Sequence, residues 1–166
     1  MKNLVVYYTL SGNTEAVAKE ISNLTGGELK KIELVKEPEA AGFAWAAFSS
    51  IIGLKGKIKS TDLNDDGYDN IFIGGQVWAG HSSTPLNSII HSMNFKNKNV
   101  YIFLTLADEK EPTAVIKSMT ERIERKGGNI ADVFYVQSKM KEVLKQEELI
   151  RPLQEWLSKN NVLQVG

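Results

Sequence analysis

The residues with the clearest chemical potential lie close together near the start of the chain. Thr9, Ser11 and Thr14 carry hydroxyl groups, Asn13 carries an amide, and Gly12 lies among them. An apolar run precedes them and an amphipathic run follows, which predicts a turn between a strand and a helix. Such a turn offers free backbone N–H groups at the positive end of a helix dipole, together with hydroxyl groups. The segment is therefore a candidate phosphate site.

This loop carries no positive charge of its own, because no Lys or Arg lies between Lys2 and Lys19. Proteins that transfer a γ-phosphate usually place a lysine in the phosphate loop, and that motif is absent. The dinucleotide fingerprint G-x-G-x-x-G is absent as well. A response-regulator domain would need acidic residues at the end of the first strand, where this chain has Tyr7, Tyr8 and Thr9. We expect the loop to hold a phosphate group and not to transfer it. The alternative is an ordinary helix cap, which needs only one such side chain.

The segments that must position this loop alternate between two hydrophobic patterns. Short apolar runs predict strands, amphipathic stripes predict helices, and the resulting order is that of a parallel sheet covered by helices on both faces. The predicted strands are Leu4–Tyr8, Leu29–Leu34, Ile71–Ile73, Val100–Leu104 and Val133–Val136. Ligands of such sheets bind beyond the carboxyl ends of the strands. We therefore expect Thr9–Glu15, Gly74–His81 and Thr105–Glu111 to meet at one edge.

Composition sets the outer limits of this interpretation. The chain has 166 residues, which fits one domain spanning residues 1–166. Its 20 basic and 20 acidic residues balance, which gives no reason to expect nucleic-acid binding. The absence of cysteine excludes disulfides and thiolate-bound metals, and we expect no metal site. No signal peptide and no membrane span are predicted, so we expect a cytoplasmic protein.

Two segments together resemble the flavodoxin family. The first is Thr9-Leu10-Ser11-Gly12-Asn13-Thr14, and the second is Gly74-Gly75-Gln76-Val77-Trp78-Ala79-Gly80-His81, with Pro85 shortly after it. The resemblance covers essentially the whole chain. It implies a three-layer, doubly wound α/β fold with a five-stranded parallel sheet in the order 2-1-3-4-5, and FMN as a non-covalent cofactor.

The resemblance also implies which residues contact FMN. The phosphate would be bound by side chains of Thr9, Ser11, Asn13 and Thr14 and by backbone N–H groups of Gly12 and Glu15. The flavin ring would lie against Gln76, Val77, Trp78, Ala79 and Gly80, where glycines permit close approach and Trp78 could stack on the ring. Trp78 could instead be a core residue at the end of a strand. The backbone at Thr105, Leu106 and Ala107 would flank the pyrimidine end of the ring. No side chain is expected to be catalytic, because the flavin supplies the chemistry.

Three departures from the family pattern leave the function open. Many relatives have proline where this chain has Gln76, carrier flavodoxins are usually acidic, and residues 38–60 are unusually apolar. One possibility is an electron carrier between protein partners. The alternative is an FMN-dependent NAD(P)H:quinone-type oxidoreductase. The redox partner, whether a protein or NAD(P)H, and the state as monomer or homodimer are not specified by the sequence.

Two other segments permit more than one interpretation. The apolar stretch at residues 40–54 could be a helix packed on the sheet, a wall near the flavin or a partner contact. The acidic residues Asp62, Asp65, Asp66 and Asp69 could lie in a solvated loop or attract a basic redox partner.

Overall fold

The computed structural model describes residues 1–36, 49, 51, 53–59, 63, 66–139 and 141–164. The strands of this part of the chain are β1 (Asn3–Tyr7), β2 (Glu28–Lys31), β3 (Asn70–Trp78), β4 (His81–Ser82), β5 (Asn99–Leu106) and β6 (Asn129–Gln137). The helices are α1 (Asn13–Thr25), α2 (Thr84–Ser92), α3 (Thr113–Glu124) and α4 (Gln146–Lys159).

The main sheet is parallel and runs in the order β2-β1-β3-β5-β6. If the short β4 is left out of the numbering, this is the predicted order 2-1-3-4-5, so the predicted flavodoxin-like fold is confirmed. β4 is an addition to it and pairs with the end of β3 in an antiparallel hairpin.

Alternating residues of the central strands build the two cores that hold the layers together. In β1, Leu4 and Val6 face one side and pack with α2 and α3, while Val5 and Tyr7 face the other side and pack with α1 and α4. All four side chains are at most 2% exposed. A strand buried on both faces must be apolar at every position, which is why the strands appear in the sequence as continuous apolar runs.

An asparagine ladder ties the amino ends of four strands together. Asn3, Asn70, Asn99 and Asn129 are register partners on β1, β3, β5 and β6. Each side-chain amide donates to the oxygen of the preceding neighbour, at 2.8 Å from Asn70 to Asn3 and at 3.2 Å for the next two steps. Asn3 closes the ladder by donating to the carbonyl oxygen of Thr25 at the end of α1. A slip of one strand by one residue would break these bonds, so the ladder fixes the register.

β3 is much longer than the sequence predicted. The predicted strand Ile71–Ile73 extends to Trp78, so most of the segment expected to be a loop is a strand. Gly74 has an ordinary strand conformation, and a Cβ added there would lie 2.0 Å from the ring of Phe103. Packing against β5 therefore requires glycine at this position. This explains Gly74 without a close approach of the flavin, which was the expected reason.

The apolar stretch at residues 40–54 lies largely outside the described residues, as do Asp62 and Asp65. Ile51 and Leu54, which are described, are half exposed. Leu34 and Ile58 form an antiparallel bridge that joins the chain on either side of this region. Within the described part of the chain, no helix has the length and apolar character required to cross a bilayer.

Candidate cofactor site

The loop after β1 ends in a helix terminus whose backbone is open to a ligand. Gly12 is the N-cap of α1 and has a φ of 89°, a conformation that glycine adopts without strain. Its carbonyl oxygen accepts the first helical bond from Ala16 at 3.0 Å. Among the described residues, no side chain caps the first turn of α1. The N–H groups of Asn13, Thr14 and Glu15 are therefore the donors that an anion would meet here.

Two hydroxyl groups of this loop are oriented by internal hydrogen bonds. Thr9 Oγ1 accepts from the backbone N–H of Gly12 at 2.9 Å, and Ser11 Oγ accepts from Nδ2 of Asn13 at 3.2 Å. Both residues are partly exposed. Because each oxygen already accepts a bond, its own proton can be donated to a ligand. The loop thus adds two hydroxyl donors to the amides of the helix terminus.

The end of β5 is joined directly to the start of α1. Thr14 Oγ1 and Thr105 Oγ1 lie 2.8 Å apart, and both residues are at most 1% exposed. The two residues are separated by 91 positions in the sequence. This bond brings together two of the segments predicted to meet at the carboxyl edge. It also places the Thr14 hydroxyl in the interior, so that its first contact in this structure is with the protein.

Gln76 connects the third predicted segment to the same loop. Its Oε1 accepts from the backbone N–H of Leu10 at 3.2 Å, and it is the register partner of Thr105. Tyr8 N also donates to the carbonyl oxygen of Gly74, at 3.2 Å. The three segments predicted to meet therefore do so, with β3 between the other two.

A tight hairpin follows β3 and projects from the sheet. Ala79 and Gly80 have φ values of 48° and 75°, and they connect the paired residues Trp78 and His81. Positive φ at both central residues is typical of the turn that suits two-residue hairpins. Ala79, Gly80 and His81 are exposed, so this tip presents backbone to a ligand above the sheet edge.

Trp78 and Val77 lie at the base of this hairpin. Trp78 is only 5% exposed, and its ring meets that of Tyr8 edge to face at 6.2 Å. Trp78 belongs to the core beneath α2 and α3 in this structure, as the alternative interpretation of the sequence had it. Val77 is half-buried and pairs with Ser82.

The end of β5 contributes mainly backbone groups to the candidate site. Thr105 and Leu106 are the last strand residues and are buried, while Ala107 is exposed. The carbonyl oxygen of Leu106 accepts from Ser138 N at 2.8 Å, and that of Ala107 accepts from Nε2 of Gln137 at 3.1 Å. These carbonyls are therefore held by β6 and the residue after it.

The segment after β6 completes the edge and was not among the predicted site segments. Asn13 Nδ2 donates to the carbonyl oxygen of Lys139 at 2.9 Å, and Leu144 N donates to Asn13 Oδ1 at 2.8 Å. Val143 packs on the open side of Gly12, where an added Cβ would lie 3.3 Å from it. The predicted side chain of Asn13 is 1% exposed and acts here as a clamp between the two loops. The rule that placed the other three segments at the carboxyl edge would also have identified this one.

The charge nearest to the loop is a paired carboxylate. Glu15 lies 2.8 Å from Lys19 and 3.1 Å from Lys31. Hydrogen bonds from these two lysines lower the pKa of Glu15. Burial and the nearby Glu15 raise the pKa of Tyr7 to about 12, so that phenol stays neutral. Because Glu15 is compensated, its carboxylate does not oppose an anion held by the amides of the same helix turn. No cluster of three metal-ligating side chains occurs among the described residues.

Comparison with known proteins agrees with this fold. A search of curated protein sequences found no significant match. A flavoprotein from Lactobacillus acidophilus in complex with FMN is 28% identical, with a TM-score of 0.66, and the match covers 81% of this chain and 92% of that one. Oxidised flavodoxin 1 from Bacillus cereus is 18% identical over 99% of this chain and 100% of its own, with a TM-score of 0.59.

A candidate flavoprotein from Bacteroides uniformis superposes more closely, with a TM-score of 0.77 at 22% identity over 95% of this chain and 97% of that one. The sequence model of the family described as Flavodoxin matches residues 2–159. Since this match spans nearly the whole chain, the protein belongs to the flavodoxin family.

Proposed function

We propose that this protein binds FMN non-covalently at the carboxyl edge of the sheet and carries electrons between protein partners. The observation that supports FMN binding most directly is the uncapped first turn of α1, with Gly12 as a left-handed N-cap and two oriented hydroxyls beside it. The relative from Lactobacillus acidophilus, whose structure contains FMN, supports the choice of cofactor.

The phosphate would be held by the loop between β1 and α1. Thr9 and Ser11 would donate hydroxyl protons, and the backbone N–H groups of Asn13, Thr14 and Glu15 would supply the remaining bonds. The N–H group of Gly12 is also a predicted contact, although it donates to Thr9 Oγ1 here. The side chains of Asn13 and Thr14 are predicted contacts as well, although both are engaged within the protein here. Since all these donors are neutral, the amide dipoles and the helix terminus would stabilise the dianion without a fixed positive charge in the loop.

The flavin ring would lie between the hairpin tip and the end of β5. The predicted contacts Gln76, Val77, Ala79 and Gly80 would line one side, and Thr105, Leu106 and Ala107 the other. Trp78, also a predicted contact, is buried in the core here and would support this side from beneath. Bound FMN can accept and release one or two electrons. The residues around it would bind and orient the ring and leave part of it accessible to a partner. No side chain of the chain needs to react covalently.

A matched pair of ligands tests the cofactor assignment. FMN and riboflavin share the flavin ring and differ in the phosphate, so the ratio of their dissociation constants isolates the phosphate contribution. Each hydrogen bond to a charged group contributes about 1.5–3 kcal/mol, so two or more such bonds predict FMN affinity at least about a hundredfold above that of riboflavin. Equal affinities, or no binding of FMN at micromolar concentration, would contradict the proposal.

An FMN-dependent NAD(P)H:quinone-type oxidoreductase is the second candidate. It is favoured by the formal net charge of zero, since carrier flavodoxins are usually acidic, and by the half-exposed Ile51 and Leu54. Mixing the FMN-loaded protein anaerobically with NADH or NADPH separates the two functions. A carrier should keep its visible flavin absorbance until a separate reductase protein is added. Rapid bleaching by the nicotinamide alone would identify the oxidoreductase.

A further inference from the structure

A cavity of about 490 Å³ lies between α2, α3 and the segment Gly53–Lys55. It shares no lining residue with the predicted cofactor site. Its volume is in the range of small-molecule sites, which is about 300–1,000 Å³. Basic side chains dominate its lining: Lys55, His91, Arg122, Arg125 and Lys126.

Arg122 is a partly buried cation in the lining of this cavity. Its Nη1 donates to Asn87 Oδ1 at 2.6 Å and to Ser82 Oγ at 3.4 Å, and its Nη2 donates to the carbonyl oxygen of Asn87 at 3.4 Å. All three acceptors are neutral, and no carboxylate of the described residues lies within ion-pair distance of the guanidinium. Burial and the neighbouring Arg125 lower the pKa of Arg122. A partly buried cation beside a like charge is unfavourable unless an anion offsets it.

The other basic groups are held around the same opening. Lys126 Nζ donates to the carbonyl oxygens of Ile90 and His91 at 2.9 and 2.6 Å, and Arg125 Nε donates to the carbonyl oxygen of Glu121 at 3.1 Å. Within the described part of the chain, no contact occupies the two terminal nitrogens of Arg125, which leaves them available for a ligand.

Helix dipoles explain only part of this charge cluster. Cations near helix C-termini are favourable, which accounts for the basic residues at the end of α3. The dipole does not account for Lys55, which comes from a different segment of the chain. Nor does it account for the absence of acidic side chains from the described lining, in a chain with 20 acidic and 20 basic residues. The cavity is a local excess of positive charge in a neutral protein.

We propose that this cavity binds a phosphate-type oxyanion, either free or carried on a small molecule, through Arg122, Arg125 and Lys55. Guanidinium groups bind phosphate oxygens through paired N–H donors, and the cavity is large enough for a phosphorylated small molecule. Ser118, also in the lining, adds a neutral hydroxyl. The inference does not depend on the nature of the redox partner.

The proposal is tested by isothermal titration of inorganic phosphate and of 2′-AMP into FMN-saturated protein at low ionic strength. Saturation with FMN occupies the loop between β1 and α1, so binding that remains reports on the second site. Arg122→Gln and Arg125→Gln should each weaken binding by about 10- to 150-fold, the equivalent of one hydrogen bond to a charged group. Tighter binding of 2′-AMP than of phosphate would identify a nucleotide as the carrier, and equal binding would identify the anion alone.

Matched variants make the outcome decisive. Arg151→Gln removes an exposed arginine of α4 that pairs with Glu155, and it should leave phosphate affinity unchanged. Arg125 is exposed, so its variant keeps the test valid if Arg122→Gln does not fold. If the protein does not take up FMN, the FMN-free protein is titrated together with Ser11→Ala. Binding lost in Ser11→Ala but kept in Arg125→Gln would overturn the proposal, as would no binding by the wild type or an equal loss in Arg151→Gln.

Discussion

Replacement of Asn13 by alanine should both lower the stability of the fold and weaken FMN binding by the loop between β1 and α1. The side chain bonds to Lys139 O and Leu144 N at 2.9 and 2.8 Å and to Ser11 Oγ at 3.2 Å. An ordinary hydrogen bond contributes about 0.5–1.5 kcal/mol, and a partner left buried and unpaired costs about 1–3 kcal/mol. With two short bonds and one long one lost, we expect the free energy of unfolding to fall by about 2–4 kcal/mol.

FMN binding by the same variant should weaken by about tenfold, which corresponds to the loss of roughly one hydrogen bond to a charged group. The reason is that Asn13 orients Ser11 and holds the segment after β6 against Gly12. Riboflavin, which lacks the phosphate, should lose less affinity. Urea unfolding followed by Trp fluorescence gives the stability, and flavin fluorescence titration gives both affinities.

Asn160→Ala is the matched control for this experiment. Asn160 Nδ2 donates to Asp132 Oδ2 and to the carbonyl oxygen of Trp156 at 2.9 and 2.8 Å, at the end of α4. Its removal should lower stability while leaving FMN affinity unchanged in the folded protein. The reasoning is refuted if Asn13→Ala is as stable as the wild type, or if Asn160→Ala weakens FMN binding as much as Asn13→Ala does.

Three further variants test the fold and its electrostatics. Asn70→Ala breaks the asparagine ladder at two bonds and should cost about 1–3 kcal/mol in urea unfolding; an unchanged midpoint would show that the ladder does not stabilise the sheet. Gly74→Ala places a Cβ against the buried ring of Phe103 and should lower the free energy of unfolding by about 1–3 kcal/mol or more. Adding Phe103→Leu should recover part of this loss, and a single variant as stable as the wild type would contradict the packing. Glu15 has a pKa lowered below its ordinary value by Lys19 and Lys31, so its stabilising effect is present above pH 4.5 and is lost as pH falls through the lowered pKa. The free energy of unfolding of Glu15→Gln should therefore be lower than that of the wild type by less than about 1 kcal/mol at neutral pH, and this difference should disappear in acid. A difference that does not change with pH would exclude the ion pairs as its cause.

The topology could be predicted from the sequence because strands that are buried on both faces consist of apolar residues throughout. Strands such as Leu4–Tyr8 had to be apolar throughout, and helices between them had to be amphipathic, so the alternation alone indicated the parallel sheet. The phosphate loop was predictable for a similar reason, since hydroxyl residues cluster around Gly12 at the junction of a strand and a helix.

Other features could not be predicted because their partners are distant or are backbone atoms. The extent of β3 was missed since two glycines interrupt the apolar pattern, and only the fold shows that the Phe103 ring occupies the space of a Cβ at Gly74. Asn13 is clamped by a backbone oxygen and a backbone N–H more than 120 positions away. Every residue type has such backbone groups, so the sequence does not indicate which of them Asn13 contacts. The cationic cavity combines Lys55 with Arg122 and Arg125 from separate segments, so only the fold brings them together.

The most direct test of the central claim is the ratio of FMN to riboflavin affinity in Ser11→Ala, measured beside the wild type and the exposed control Ser158→Ala. If the loop between β1 and α1 binds the phosphate, the loss of the Ser11 hydroxyl should weaken FMN binding by about 10- to 150-fold, which corresponds to about 1.5–3 kcal/mol. Riboflavin binding should not change, and Ser158→Ala should match the wild type with both ligands. An equal loss of affinity for FMN and riboflavin, or no loss for either, would contradict the assignment of this loop.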